Sequence, residues 1–343
     1  MRALMYYSNR DVRVVEMAVP EIGPGELLLK VKASGICGSD VMEWYRRDKV
    51  PLVLGHEVAG EVAAVGEGTS KFKTGDRLAV THHVPCNTCS YCLSGHQTMC
   101  RTLLSETHFD PGGFAEYLRV PAINVDRGSF LIPEGLSFEE ASFMEPLACV
   151  LRGQRQAGIR PGQTVLVLGS GISGLLHVGL ARSLGAGLVV AADTIPLRLD
   201  KAKEMGANLA LRADEDLVAA LRQAGGGLLA DLVIIGFEGF IPLALRAVER
   251  GGTVLFFAGA AEGATLPAAI NDIFWRTEKT LTSSYAGAPA DCRQALALIQ
   301  AGSVPVSRLI THRLGLEDGA QGFGLVADPV ESNSIKVIIE PER

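Results

Sequence analysis

Basic charge, aromatic rings and long apolar runs are all scarce in this 343-residue chain. Lys and Arg number 32 against 38 Asp and Glu, a formal net charge of −6, so no broad basic surface for nucleic acid or an anionic membrane is expected. The longest apolar runs, ADLVIIGF at 230–237 and TVLFFAGA at 253–260, fall far short of the ~20 residues that span a bilayer. Nor does the chain open on a charged-then-apolar leader. MRALMYYSNRDVRVVE alternates polar and apolar residues and reads as a strand entering the fold, which implies a reducing, cytoplasmic setting. Aromatics make up 6% of the chain and cysteines number seven, too few for a disulfide scaffold. What is present is the composition of an ordinary globular protein, 48% hydrophobic and 20% charged, in a length that suggests two domains.

Four of the seven cysteines stand in PCNTCSYCLSGHQTMC, residues 85–100. Disulfides, redox chemistry and a metal could each explain the cluster, and a reducing compartment disfavours the first. Thiolates at Cys86, Cys89, Cys92 and Cys100, spaced C-x2-C-x2-C-x7-C, can close a tetrahedral zinc shell with no position left for substrate. The expected role is structural, clipping a lobe that has few apolar residues of its own.

The two halves follow different patterns. From about residue 160, short apolar runs (TVLVLG, GLVVAAD, ADLVIIGF, TVLFFAG, TLTSSYAG) are interleaved with helical stretches such as ISGLLHVGLARSLGA and PLRLDKAKEMGA. Near-continuous apolar strands linked by amphipathic helices predict a parallel sheet covered on both faces, a doubly wound α/β domain over 151–285. Residues 1–150 instead carry strand-like segments (ELLLKVKASGIC, HEVAGEVAAVG, DRLAVTHH, GFAEYLRVP) cut by Gly, Pro and Asp turns, which predicts an antiparallel or barrel-like domain. The tail, 286–343, offers one helix (DCRQALALIQAG) and one strand (SIKVIIEP) and fits neither half by pattern alone.

VLVLGSGISG ends a strand and opens a helix, and Gly169, Gly171 and Gly174 match G-x-G-x-x-G. The first glycine permits the tight turn, the second admits a pyrophosphate to the backbone, and the third lets helix and strand pack closely. Ile172 begins the helix, whose N-terminal N–H groups face the phosphates. Asp193, at the end of the next strand, is placed to accept hydrogen bonds from the adenosine ribose. Its charge would repel a 2′-phosphate by about 4 kcal/mol at ~4 Å and an effective dielectric of 20, so NAD is expected over NADP. Arg198 is near enough in sequence to stack on adenine or soften that repulsion.

Three further segments supply metal-ligand residue types. GICGSD carries Cys37, Ser39 and Asp40; LGHEVAG carries His56 and Glu57; FMEPLACV carries Glu145 and Cys149. Thiolate, imidazole and carboxylate are the ligand set of a catalytic zinc with an exchangeable position. Glu145 stands just before Pro146, the expected helix start, and is preferred to Cys149, which reads as a core thiol. His82, His83, His96 and His108 read as solvated or structural, and His177 and Cys292 as packing residues. Trp44, Tyr45 and Phe109 are candidates to line a substrate cleft.

With these motifs in this order, the chain resembles the zinc-dependent medium-chain alcohol dehydrogenases over essentially its whole length. GHEVAGEVAAVG is similar to that family's G-H-E-x2-G-x5-G signature at Gly55, His56, Glu57, Gly60 and Gly66, and MEPL to its polyol branch, sorbitol dehydrogenase in particular. The resemblance implies a GroES-like β-barrel catalytic domain completed by the returning tail, and a Rossmann NAD-binding domain. It implies two zinc ions per chain. Cys37 and His56 would be direct ligands of the catalytic one, with Glu57 and Glu145 direct, alternating or water-mediated ligands. Ser39 would take the substrate's hydroxyl proton, and Asp40 would hold the ring of His56. Met42 stands where many relatives have a histidine that passes the proton to solvent, and Thr69 where they have a small residue. The implied activity is oxidation of a secondary alcohol or polyol to a ketone, in a homodimer or homotetramer. A threonine- or butanediol-type dehydrogenase, a zinc-free reductase and a non-catalytic NAD-binding protein are the alternatives.

Overall fold

The computed structural model describes residues 1–213 and 216–343 and divides into two compact units. The first comprises Met1–Ala148, Ala286–Gln300 and Leu309–Arg343; the second comprises Cys149–Tyr285 and Ala301–Arg308.

In the first unit, the strands Arg2–Ser8 and Asp11–Glu16 pair antiparallel, and Leu52–Val53 joins them on the other side. The main sheet runs in the order Ile310–Leu314, Lys336–Ile339, Leu27–Gly35, Glu57–Val65, Arg77–Val80, Ser129–Leu131, with Tyr117–Val120 pairing separately with Leu27–Gly35. Its pairings are antiparallel except that between Ile310–Leu314 and Lys336–Ile339. In LLLKVKASG the alternation of residues is visible: Leu27, Leu29 and Val31 are buried, while Lys30 and Lys32 face out to Glu342. The inner faces meet in a core of Leu27, Leu29, Val31, Val58, Val62, Leu78 and Leu118, each such side chain contributing about 1.5–3 kcal/mol by leaving water. The tail, apart from Ala301–Arg308, belongs to this unit, where its strand Lys336–Ile339 hydrogen-bonds to Leu27–Gly35, a long-range pairing that no local periodicity reports.

The second unit holds a six-stranded sheet in the order Leu209–Arg212, Leu188–Asp193, Thr164–Leu168, Ala230–Ile235, Val248–Phe256, Thr280–Ser283, parallel throughout. This is the doubly wound order expected from the alternating pattern, with its switch point at the carboxyl ends of Thr164–Leu168 and Ala230–Ile235. The strand Leu209–Arg212 was not expected; it is a four-residue edge strand without a continuous apolar run. The helix carrying Glu145 begins two residues earlier than Pro146 suggests, spanning Met144–Gln156, so Glu145 lies inside its first turn. No helix among the described residues is long and apolar enough to cross a membrane.

Candidate active site and its metal centres

Sheet register assembles the first cluster. Gly35 pairs with Glu57 across two antiparallel strands. Cys37, two residues beyond Gly35, therefore meets His56, one residue before Glu57. One ligand atom from each of Cys37, His56 and Glu57 lies within 4.8 Å of the others. A one-residue slip would turn Glu57 to the other face and dissolve the set.

The surrounding residues orient these ligands. Asp40 is fully buried on the turn Gly38–Val41, where its Oδ2 accepts the Cys37 N–H at 3.0 Å. Its Oδ1 lies 3.5 Å from His56 Nδ1 and 3.3 Å from Arg46 Nη2. With Nδ1 turned to Asp40, Nε2 is the nitrogen His56 has left for a metal. Burial opposes a charge on His56, but Asp40 outweighs it and raises the imidazole well above its ordinary range. Burial likewise opposes the Asp40 anion, yet His56 and Arg46 hold its carboxyl below the usual value. Ser39, half-buried on the same turn, accepts at its carbonyl from Arg46 Nε at 3.1 Å.

Glu57 is paired with a residue the sequence reading did not single out. Lys336 Nζ binds Glu57 Oε2 and also donates to the carbonyl of Ile36 at 3.1 Å, and both side chains are almost fully buried. Burial raises the Glu57 carboxyl despite the opposing pull of Lys336. Gly35 makes room for the pair: a Cβ there would collide with Glu57 Oε2 and the end of Lys336. A signal was available, since a lysine inside the apolar run IKVIIEP has little reason to be buried without a partner.

Glu145 stands in a neighbouring cluster. One ligand atom from each of His82, His83 and Glu145 lies within 4.8 Å of the others, and His83 Nδ1 is 3.2 Å from Glu145 Oε1. The His82 ring lies edge-on to His56, with centroids 5.0 Å apart. Of the two roles expected for these histidines, solvated or structural, burial excludes the first for His83, while His82 abuts a candidate ligand. The doublet at the end of a strand was the available signal. Cys149 lies farther along the Glu145 helix, and Trp44 and Tyr45 make a tilted ring contact at the surface. His177 and Cys292 are buried packing residues, and burial pushes His177 down to about 3.

The cysteine lobe is compact. The sulfurs of Cys86, Cys89, Cys92 and Cys100 lie within 4.8 Å of one another, with Cys86–Cys92 at 4.0 Å and Cys89–Cys92 at 3.5 Å, far beyond a disulfide bond. The N–H groups of Thr88 and Cys89 and the Thr88 hydroxyl donate to Cys86 Sγ, and the Cys86 N–H donates to Cys100 Sγ at 3.3 Å. These donors hold the Cys86 thiol down to about 5, while burial pushes Cys92 up to about 12. Four converging sulfurs supplied with N–H donors fit a closed zinc shell, and the mixed thiolate–imidazole–carboxylate cluster fits a zinc that keeps an exchangeable position.

In the second unit, Gly169 takes φ +93° and Gly171 caps the helix Ile172–Ser183. A Cβ on Gly174 would collide with the Gly169 carbonyl, the close helix–strand approach that its place in the motif requires. Asp193, nearly fully buried, accepts from the N–H groups of Ser170 at 2.7 Å and Ile195 at 2.9 Å, and Arg198 Nη1 lies 3.6 Å away. A helix N-terminus, a glycine turn and a neighbouring carboxylate thus converge as a dinucleotide requires, with a cation beside the acid.

The chain as a whole is similar to known proteins. The family model described as the alcohol dehydrogenase GroES-like domain matches residues 23–127, and that described as zinc-binding dehydrogenase matches 173–301. The chain is 35% identical over 327 residues to D-altritol 5-dehydrogenase of Agrobacterium fabrum, covering 93% of this chain and 94% of that protein. It is 31% identical over 336 residues to sorbitol dehydrogenase of Gallus gallus, covering 94% and 92%. Among solved structures, a zinc-binding dehydrogenase from Sinorhizobium meliloti 1021 bound to NADP superposes with a TM-score of 0.88 at 31% identity, over 99% of each chain.

Proposed function

We propose that this chain, which belongs to the zinc-dependent medium-chain alcohol dehydrogenase family and within it is sorbitol-dehydrogenase-like, oxidises a secondary carbinol of a neutral polyol to a ketone with NAD. The observation that carries this reading is the convergence of Cys37, His56 and Glu57, with Asp40 behind the imidazole. When bound, zinc polarises the substrate oxygen and NAD accepts the carbinol hydride. The protein's own work is positional and protonic. Cys37, His56 and Glu57 hold the metal, and Glu145 is its further or water-mediated ligand. Asp40 fixes the imidazole tautomer, Lys336 neutralises Glu57, and Ser39 hydrogen-bonds the substrate hydroxyl and starts the proton relay, passing its own hydroxyl proton on to water as it takes up the substrate's. Cys86, Cys89, Cys92 and Cys100 hold the structural zinc. Gly169, Gly171, Ile172 and Gly174 receive the pyrophosphate; Asp193 accepts from the ribose, and Arg198 lies against the adenine end.

Asp193 supports NAD, whereas the Sinorhizobium meliloti neighbour holds NADP and Arg198 offsets part of the acid's repulsion. Asp193→Ser should shift the ratio of kcat/KM values toward NADP; an unchanged ratio would overturn the NAD reading. A homodimer or homotetramer is supported by the edge strand Thr280–Ser283 and by the exposed Ile270, Phe274 and Trp275 that precede it in the chain, since an open sheet edge and exposed apolar side chains both invite a second copy. A cytoplasmic setting is supported by the absence of disulfides among the described cysteines. The direct test is a screen of polyols, diols, amino alcohols and simple secondary alcohols for NADH formation, with zinc measured on the same sample. Turnover of polyols by protein holding two zinc ions per chain is expected; zinc-replete protein that oxidises none of the panel would refute the reading.

A further inference from the structure

The histidine doublet stands outside the machinery just described, yet it adjoins it. Its backbone is fixed: the His82 carbonyl accepts from the Thr107 hydroxyl, the His83 N–H donates to Thr81 Oγ1 at 3.1 Å, and the Thr81 carbonyl accepts from Asn124 Nδ2 at 2.9 Å. The two rings are therefore presented by a rigid segment. His83 turns its Nδ1 to Glu145, and the His82 ring lies tilted against His83 with centroids 3.7 Å apart. The other side of His82 meets His56 at 5.0 Å and Phe109 at 6.1 Å. A phenyl ring would pack equally well in this aromatic setting. The chain instead places an imidazole there: Nδ1 is enclosed with no hydrogen-bond partner among the described residues, and the ring is only half-buried, which leaves Nε2 as the nitrogen open to a substrate. A polar ring held rigidly beside a ligand imidazole is suited to hydrogen-bond a substrate, not to pack a core.

We propose that His82, backed by the His83–Glu145 pair, reads a second hydroxyl of the substrate, on the carbon next to the carbinol being oxidised. The inference rests on the polyol reading above and adds the residue that makes the enzyme prefer a polyol to a simple secondary alcohol. A hydroxyl both donates and accepts, so it suits an imidazole next to a carboxylate. A carboxylate or phosphate substituent would meet the negative charge of Glu145. A site built to hydrogen-bond a hydroxyl discriminates strongly against the analogue lacking it, because its own polar groups are then left unmatched.

The test compares zinc-loaded wild type, His82→Phe and His82→Gln with NAD. kcat/KM is measured for sorbitol, xylitol and butane-2,3-diol against butan-2-ol, and sorbitol binding to the NADH-loaded proteins is measured by calorimetry. Wild type should favour at least one polyol over butan-2-ol by about tenfold or more. In His82→Phe that preference should fall at least about tenfold and sorbitol should bind more weakly, while His82→Gln, which keeps a donor and an acceptor, should retain more of both. The preference is a ratio taken on one sample, so partial loss of folded protein does not alter it. A smaller fall, unchanged sorbitol binding, or a third zinc per chain that disappears in His82→Phe overturns the inference and leaves the dehydrogenase reading intact. Turnover of none of the four alcohols by wild type overturns both.

Discussion

The two candidate metal centres of the first unit are built in opposite ways. The cysteine lobe takes its four sulfurs from one short stretch, and N–H groups of the same stretch support them. The Cys37–His56–Glu57 cluster takes its ligands from the adjoining ends of two strands whose register must be correct, and the cation beside it comes from a residue 279 positions after Glu57. A local cluster can hold its geometry while the rest of the sheet shifts, which suits a clip. A cluster assembled by the tertiary fold is sensitive to every element that feeds it, and in return it presents different chemical groups from several directions.

Substitutions that separate the two centres sharpen this contrast. The largest effect is expected from Cys37→Ser and His56→Ala, which should abolish turnover while the lobe keeps its zinc and NAD still binds. NADH formation, zinc content and NAD titration check this together, and loss of NAD binding would show that these residues hold the fold instead. Next, Cys89→Ala should remove the other zinc and lower the melting temperature by several degrees in calorimetry, at about 2–4 °C per kcal/mol for a domain of this size. An unchanged melting temperature would deny the lobe its role as a clip. Lys336→Met leaves Glu57 buried without its cation and should destabilise the protein by about 3–5 kcal/mol in urea unfolding, with part of the loss recovered in Glu57→Gln–Lys336→Met. A double variant no better than the single one would break the pairing argument. The smallest effect belongs to Asp40→Asn, which should weaken zinc at the mixed cluster by about 10–100-fold in chelator competition without touching the lobe.

The same contrast decides what could be read from the chain alone. The doubly wound sheet was legible because its central strands are continuous apolar runs; Leu209–Arg212, short and at the edge, was not. The glycine turn and the cysteine lobe were legible because their chemistry is spelled out over a few neighbouring residues. Cys37, His56, Glu57 and Glu145 could be nominated by residue type and family likeness, but which of them share a cluster depends on strand register. Lys336 escaped notice, and the neighbours of His82 and His83 could not be read, because the partners, Glu57 and Glu145, are remote in sequence. The pattern of a tail strand reports its alternation but not its neighbour.

The buried lysine also has a consequence for biosynthesis. A ribosome adding about 5–20 residues per second needs roughly 15–55 seconds to travel from Glu57 to Lys336. For that interval the nascent first unit contains a carboxylate destined for burial with no counter-ion yet made, and its central strand Leu27–Gly35 lacks one neighbour. Termination before Lys336 would therefore damage the oldest part of the chain, whereas the nucleotide-binding unit, which closes at Arg308, would already be complete.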